Sequence, residues 1–185
     1  GEVFDAVILA VAPYHVDALL PKDTPDYIQT AYQSLHYHAI TTVYLRYAQA
    51  VKLPAPLTGF SDGTAQWVLH RGVLGLPDNE VAVVISVSDC TEAWKDKDLA
   101  EKVHADIKRI CPDLDKPEAV RIITEKRATT AATVDFVQPD FSWLHHRRIY
   151  PAGDYLHPRY PATLEAAVQS GFAAAEKLML DLRVE

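Results

Sequence analysis

Apolar residues run unbroken over residues 4–12 (FDAVILAVA). A run without alternation predicts a parallel strand covered on both faces. Pro13 suits a first helical turn, so PYHVDALL predicts a short helix after it. A strand covered on both faces needs neighbours on each side, and the chain starts only a few residues before it. Further structure upstream is therefore expected. Residues 39–47 (AITTVYLRY) are rich in β-branched and aromatic side chains and predict a strand. Alternation puts Ile40, Thr42, Tyr44 and Arg46 on one face, with Thr41, Val43, Leu45 and Tyr47 on the other. Turn-forming residues follow, then strand-like runs at 66–70 and 81–87. Over 92–110 the spacing of Leu99, Val103, Ile107 and Ile110 is helical, and Pro112 ends that helix. Residues 119–129 read as another strand. The middle of the chain thus predicts an antiparallel sheet with a covering helix.

Residues 148–152 read as a short strand that runs into Gly153 and Asp154. A long helix follows from about 162 to 182, with the stripe Leu164, Val168, Phe172, Ala175, Leu178, Met179 and Leu182. No internal repeat or low-complexity segment interrupts this order.

Composition narrows the function classes. A chain of 185 residues suffices for one domain or two small ones, and its hydrophobic fraction of 49% can fill a core. A net charge of −7 argues against nucleic acid as the main partner. The basic cluster His145-His146-Arg147-Arg148 is too short to overturn that and reads as a solvated loop. Cys90 and Cys111 stand far apart in no CxxC pattern, which suggests neither structural zinc nor a disulfide framework and fits a reducing cytoplasm. His36 and His38 lack a third ligand, so no metal is assigned. The opening residues do not read as a charged-then-apolar leader, which excludes little because the amino terminus reads as cut, and no run of about 18 apolar residues occurs.

The most informative stretch is 150–175, YPAGDYLHPRYPATLEAAVQSGFAAA. It reads as strand, sharp turn at Gly153, acidic side chain at the strand's carboxyl end, loop, then helix start. Ligands of α/β folds sit at that end of a sheet. There Asp154 can accept hydrogen bonds from sugar-like hydroxyls, and the helix start offers free N–H groups and a positive dipole end. Small residues Ala166, Ala167, Ser170 and Gly171 allow a flat ring or a strand to approach. Gly-Asp is also an ordinary turn, and small helix residues also serve packing.

AGDY…YPATLEAAVQSG resembles the carboxy-terminal FAD signature of the flavin amine oxidase and phytoene desaturase superfamily. The resemblance implies that Gly153 and Asp154 belong to the cofactor site, Asp154 contacting the ribityl part of FAD, and that Leu164, Glu165, Ala166 and Ala167 lie at the flavin. Where the signature has Gly after Glu, this chain has Ala166, whose methyl is minor if that backbone is helical and would crowd a flavin in close contact. In order, DAVILAVAPYHVDALLP, ITTVYLRY, AQWVLHRG, VAVVISVS and VRIITEKRATTAAT resemble the squalene-associated FAD-dependent desaturases, a group described as including hydroxysqualene dehydroxylases of hopanoid biosynthesis. That family's amino-terminal GxGxxG is not among the seven glycines of this chain.

The fold implied is mixed α+β and α/β. Residues 1–20 and 145–185 would belong to an incomplete, Rossmann-like FAD-binding sheet with a long carboxy-terminal helix. Residues 21–144 would form a substrate-binding domain with an antiparallel sheet and covering helices. The function implied is a FAD-dependent oxidoreductase acting on an apolar isoprenoid, incomplete and inactive alone. A flavin amine oxidase-like enzyme and a non-catalytic apolar-ligand domain are the alternatives. Tyr44 and Trp67 line an apolar tunnel or pack a core; Lys126 and Arg127 face the flavin or form a charged strand end. The expected location is cytoplasmic or membrane-peripheral. The partners expected besides substrate are a membrane surface, a missing amino-terminal half, or a second copy.

Overall fold

The computed structural model describes residues 2–88, 96–133 and 139–183. In chain order, β1 (Val7–Leu9) leads into α1 (Pro13–Val16) and α2 (Asp26–Gln33). Four strands follow: β2 (Tyr37–Arg46), β3 (Leu57–Gly59), β4 (Trp67–His70) and β5 (Glu80–Ser86). Then come α3 (Asp96–Lys108), β6 (Ala119–Thr130), α4 (Ser142–His145), β7 (Ile149–Pro151) and α5 (Leu164–Arg183). The expected first turn of α3, residues 92–95, lies outside the described residues.

Contacts divide the chain into two units, Gly1–His36 with Thr130–Glu185, and Tyr37–Thr129. Residues 21–36, 130–133 and 139–144, expected in the middle domain, group with the termini instead. The reason is aromatic: α2 buries Ile28 and Tyr32 against Leu9, Phe141, Leu144 and Tyr155. Tyr32 stacks on Phe141 with ring centroids 6.1 Å apart and meets Tyr155 edge-on at the same separation. Burial pushes the Tyr32 phenol up to about 12.

In the first unit β1 and β7 pair in parallel, with Val7 opposite Ile149 and Leu9 opposite Pro151. One face of this two-stranded sheet meets α5 through Tyr150, Ala152 and Ala174. Leu9 and Ile149 belong to the cluster built with α2 and α4. Within this chain, two apolar surfaces are covered only in part. The strand at β1 is covered only in part, since Leu9 is buried while Val7 is 45% and Ile8 38% exposed. The buried face of α5 is Ala166, Ser170 and Ala174, whereas Leu164 (89%) and Phe172 (67%) lie exposed. Small side chains win because they bring the helix axis close enough for a side chain of α5 to bond the turn after β7.

In the second unit the strand order is β3-β4-β5-β2-β6, and the β2–β5, β4–β5 and β3–β4 pairs are antiparallel. Val43 faces Val83 and Leu45 faces Val81 across β2 and β5. These join Val68, Leu99, Val103 and Ile107 in one core. Each such fully buried side chain contributes about 1.5–3 kcal/mol. The odd positions of β2 are the buried ones, as alternation predicts. Asp106 of α3 fixes the loop before β4: its Oδ2 accepts the backbone N–H of Thr64 (2.6 Å) and Ala65 (2.9 Å). Among the described residues α3 is this unit's one α-helix, and it covers one face. The other face carries Leu57, Trp67, Leu69, Tyr44 and Val84 in cross-strand rows.

Candidate functional site

The turn after β7 is built from the strand outward. Ala152 N–H donates to the Leu9 carbonyl (2.9 Å), extending the parallel ladder by one residue. Gly153 follows with extended backbone and donates its N–H to Ser170 Oγ at 3.0 Å. A Cβ at Gly153 would sit 2.3 Å from Cε1 of Tyr155, whose ring is buried. Glycine is required there because that ring fills the space. Asp154 then opens a 3₁₀ turn, Asp154–Leu156. Its carboxylate is half-buried and makes no hydrogen bond or ion pair among the described residues. An ionised carboxylate so placed keeps its acceptor capacity for a ligand.

Helix α5 starts beside this turn. Thr163 caps it, its Oγ1 accepting the Ala166 N–H at 3.2 Å and its carbonyl the Ala167 N–H at 3.0 Å. A polar chain ties the intervening loop to the helix. His157 Nδ1 accepts the backbone N–H of Arg159 (3.2 Å) and Tyr160 (3.0 Å). The ring proton therefore sits on Nε2, which donates to Gln169 Oε1 at 2.9 Å. Gln169 Nε2 in turn donates to Glu165 Oε1 at 2.5 Å. The loop is thereby held to the first two turns of α5.

The structure separates the four helix-start residues by exposure. Leu164 and Glu165 face solvent, Ala167 is half-buried and Ala166 is wholly buried. The Ala166 methyl thus fills protein interior. The positions that sequence reasoning passed over are Ser170, Tyr155 and Thr163. The first was noted only as small, and the cap was legible as Thr one residue before the helical pattern.

Tyr44, Trp67, Lys126 and Arg127 all fall in the other unit. Tyr44 and Trp67 share the open sheet face in adjacent rows, Tyr44 with Ala82 and Leu69, Trp67 with Val84. The Trp67 ring lies over Gly59, where a Cβ would meet it at 3.0 Å. Trp67 is 49% exposed, so it walls an open surface and does not fill the core. Lys126 and Arg127 are exposed on β6, and consecutive strand residues face opposite sides of a sheet. Arg71, given no role from sequence, bonds Glu80 and lies over the Tyr44 ring at 5.2 Å.

The chain is 32% identical over 180 residues to a hydroxysqualene dehydroxylase of Rhodopseudomonas palustris, covering 95% of this chain and 38% of that protein. It is 28% identical to a hydroxysqualene dehydroxylase of Zymomonas mobilis subsp. mobilis, covering 93% of this chain and again 38% of the relative. The chain thus spans well under half the length of these relatives. Among solved structures, a candidate protoporphyrinogen oxidase from an Exiguobacterium species superposes with TM-score 0.67 at 19% identity, over 97% of this chain and 41% of that one. A redesigned putrescine oxidase superposes with TM-score 0.62 at 13% identity, over 94% of this chain and 42% of the other. Both likenesses show a shared mixed α/β fold. The sequence pattern of the flavin containing amine oxidoreductases matches residues 1–179, and the chain belongs to that family.

Proposed function

We propose that this chain is the carboxy-terminal portion of a FAD-dependent oxidoreductase acting on an apolar isoprenoid of the hydroxysqualene or squalene type, in hopanoid biosynthesis. The observation that carries the cofactor assignment is Asp154: half-buried, without a protein partner, at the carboxyl end of a parallel strand. Its two oxygens suit the vicinal hydroxyls of a ribityl chain. FAD, when bound, supplies the hydride chemistry. The protein's part is to orient the group: Asp154 binds, Ser170 and Tyr155 fix the turn that presents it, and α5 sets its positive end toward developing negative charge. Gly153 contributes room for the Tyr155 ring. Uncovered apolar side chains on β1 and α5 support a cofactor half that is completed by further sequence carrying the pyrophosphate cradle.

In the second unit, the open face with Leu57, Trp67 and Leu69 supports an apolar substrate surface. That face equally favours a second reading, an apolar-ligand domain without redox chemistry. No helix among the described residues is long and apolar enough to cross a membrane. A cytoplasmic, membrane-peripheral location is our reading. The deciding experiment is flavin reconstitution. In the intact parent protein, Asp154→Ala should lose most bound flavin, read by visible absorption after gel filtration. Unchanged flavin content would refute the assignment. Protein that stays colourless even without the substitution, yet binds squalene, would establish the second reading.

A further inference from the structure

At the outer end of the open sheet face lies a recess of ≈ 530 Å³ whose lining includes Arg46, Arg71, Arg121, Glu80, Tyr44 and Ile123. Three arginines and one glutamate line it, a surplus of two formal positive charges in a chain of net charge −7. Glu80 stands opposite Arg46 in the β2–β5 register, yet its carboxylate bonds Arg71. Arg71 is held further over the Tyr44 ring. Arg46 and Arg121 make no side-chain hydrogen bond or ion pair among the described residues. Like charges gathered on neighbouring strands cost stability unless an anion offsets them. Guanidinium groups are weakly hydrated and match carboxylate and phosphate in paired hydrogen bonds. The remaining walls, Tyr44 and Ile123 among them, are apolar, and the next rows inward carry Leu69 and Trp67.

We propose that this recess binds the anionic head group, phosphate or carboxylate, of an amphiphile whose apolar chain lies along the open face toward Trp67. Such a ligand carries a charge that the isoprenoid of the proposed reaction lacks, and its chain would share the open face with that substrate. Its recognition would hold the apolar face against the lipid that carries that isoprenoid. The inference rests on the apolar-face reading for the chain and is independent of the flavin assignment.

The test compares the wild-type chain with the Arg46→Gln/Arg121→Gln double variant, both side chains being exposed and the fold checked by circular dichroism. Probes are monomeric dodecyl phosphate, inorganic phosphate, and phosphatidylcholine vesicles with and without phosphatidic acid. Wild type should bind dodecyl phosphate, the acidic vesicles, or both, and the double variant at least tenfold more weakly. Binding to vesicles alone places the head group in a membrane; binding to the monomer assigns a free amphiphile. Arg121→Lys, which keeps charge and loses the fork, should fall between. Equal binding by the double variant would overturn the proposal. So would no binding of either amphiphile, or inorganic phosphate binding as tightly as dodecyl phosphate. Flavin content of the intact parent, measured on the same variants, should not move, which keeps the two proposals separable.

Discussion

The N–H of Gly153 donates to Oγ of Ser170 across 3.0 Å, joining the turn after β7 to the buried side of α5. Ser170 is buried, so its removal leaves that N–H without a partner. Ser170→Ala should therefore cost about 1–3 kcal/mol. Urea denaturation followed by far-UV circular dichroism would read it. A cost near zero would mean that water replaces the hydroxyl.

Gly153→Ala should destabilise by about 1–3 kcal/mol, because the new methyl collides with the Tyr155 ring. Cutting that ring back should relieve the collision. In a double-mutant cycle, Gly153→Ala is expected to cost markedly less in a Tyr155→Leu background. Additive effects would show that the ring is not what excludes a side chain there.

Asp154→Ala should separate binding from stability. Because its carboxylate has no partner among the described residues, loss should leave folding within about 0.5 kcal/mol of wild type. Flavin retention in the intact parent should fall sharply. A large loss of stability would assign Asp154 a structural duty instead.

Asp106 predicts a stability effect in the other unit. Its carboxylate serves two backbone N–H groups at 2.6 and 2.9 Å and is 13% exposed. Asp106→Ala should cost roughly 3 kcal/mol, and Asp106→Asn less, since an amide oxygen still accepts. The unfolding midpoints should rank wild type, Asn, Ala; any other order contradicts the assigned bonds.

Acid should weaken the first unit through His145, which stacks on Tyr150 with centroids 5.2 Å apart. Burial first, and then the Lys177 ammonium, hold its imidazole below the usual value, although Asp181 and Asp140 pull the other way. The folded state therefore binds this proton less readily than the unfolded chain. Its stabilising contribution is complete above about pH 6.5 and is lost as pH falls through the lowered folded-state value. Asp181, held low chiefly by its hydrogen bond from Lys177, gives a second loss at still lower pH. His145→Phe keeps a ring on Tyr150 and removes the titration. Its stability relative to wild type should rise steadily from pH 7 to pH 5, and a pH-independent difference would refute the cause.

The sheet of the second unit was legible because β2 alternates cleanly, and period-two patterning leaves little choice of face. The long helix was legible too, but not its buried side. Leu164, Val168 and Phe172 form the better apolar stripe, yet Ala166, Ser170 and Ala174 pack inward. Hydrophobicity ranks side chains by transfer free energy, whereas close approach to a strand rewards small size. Helix α2 escaped notice because only Ile28 and Tyr32 of its eight residues are buried. The turn at Gly153 was visible as a motif, but its cause, the Tyr155 ring, depends on three-dimensional packing. The arginine recess was invisible for a related reason: positions 46, 71, 80 and 121 meet only once the strands are paired.

The two units also differ in how the polypeptide visits them. Residues 37–129 form one uninterrupted stretch, whereas β1 meets β7 only after about 140 residues have been bridged. Synthesis on the ribosome delivers every strand of the five-stranded sheet before Ile149 exists. The order of assembly is thus written into the connectivity: the inserted unit can mature first, and the pairing that sets Asp154 in place closes last. Pulse-labelled amide exchange during refolding should accordingly protect Val43 and Val83 ahead of Tyr150.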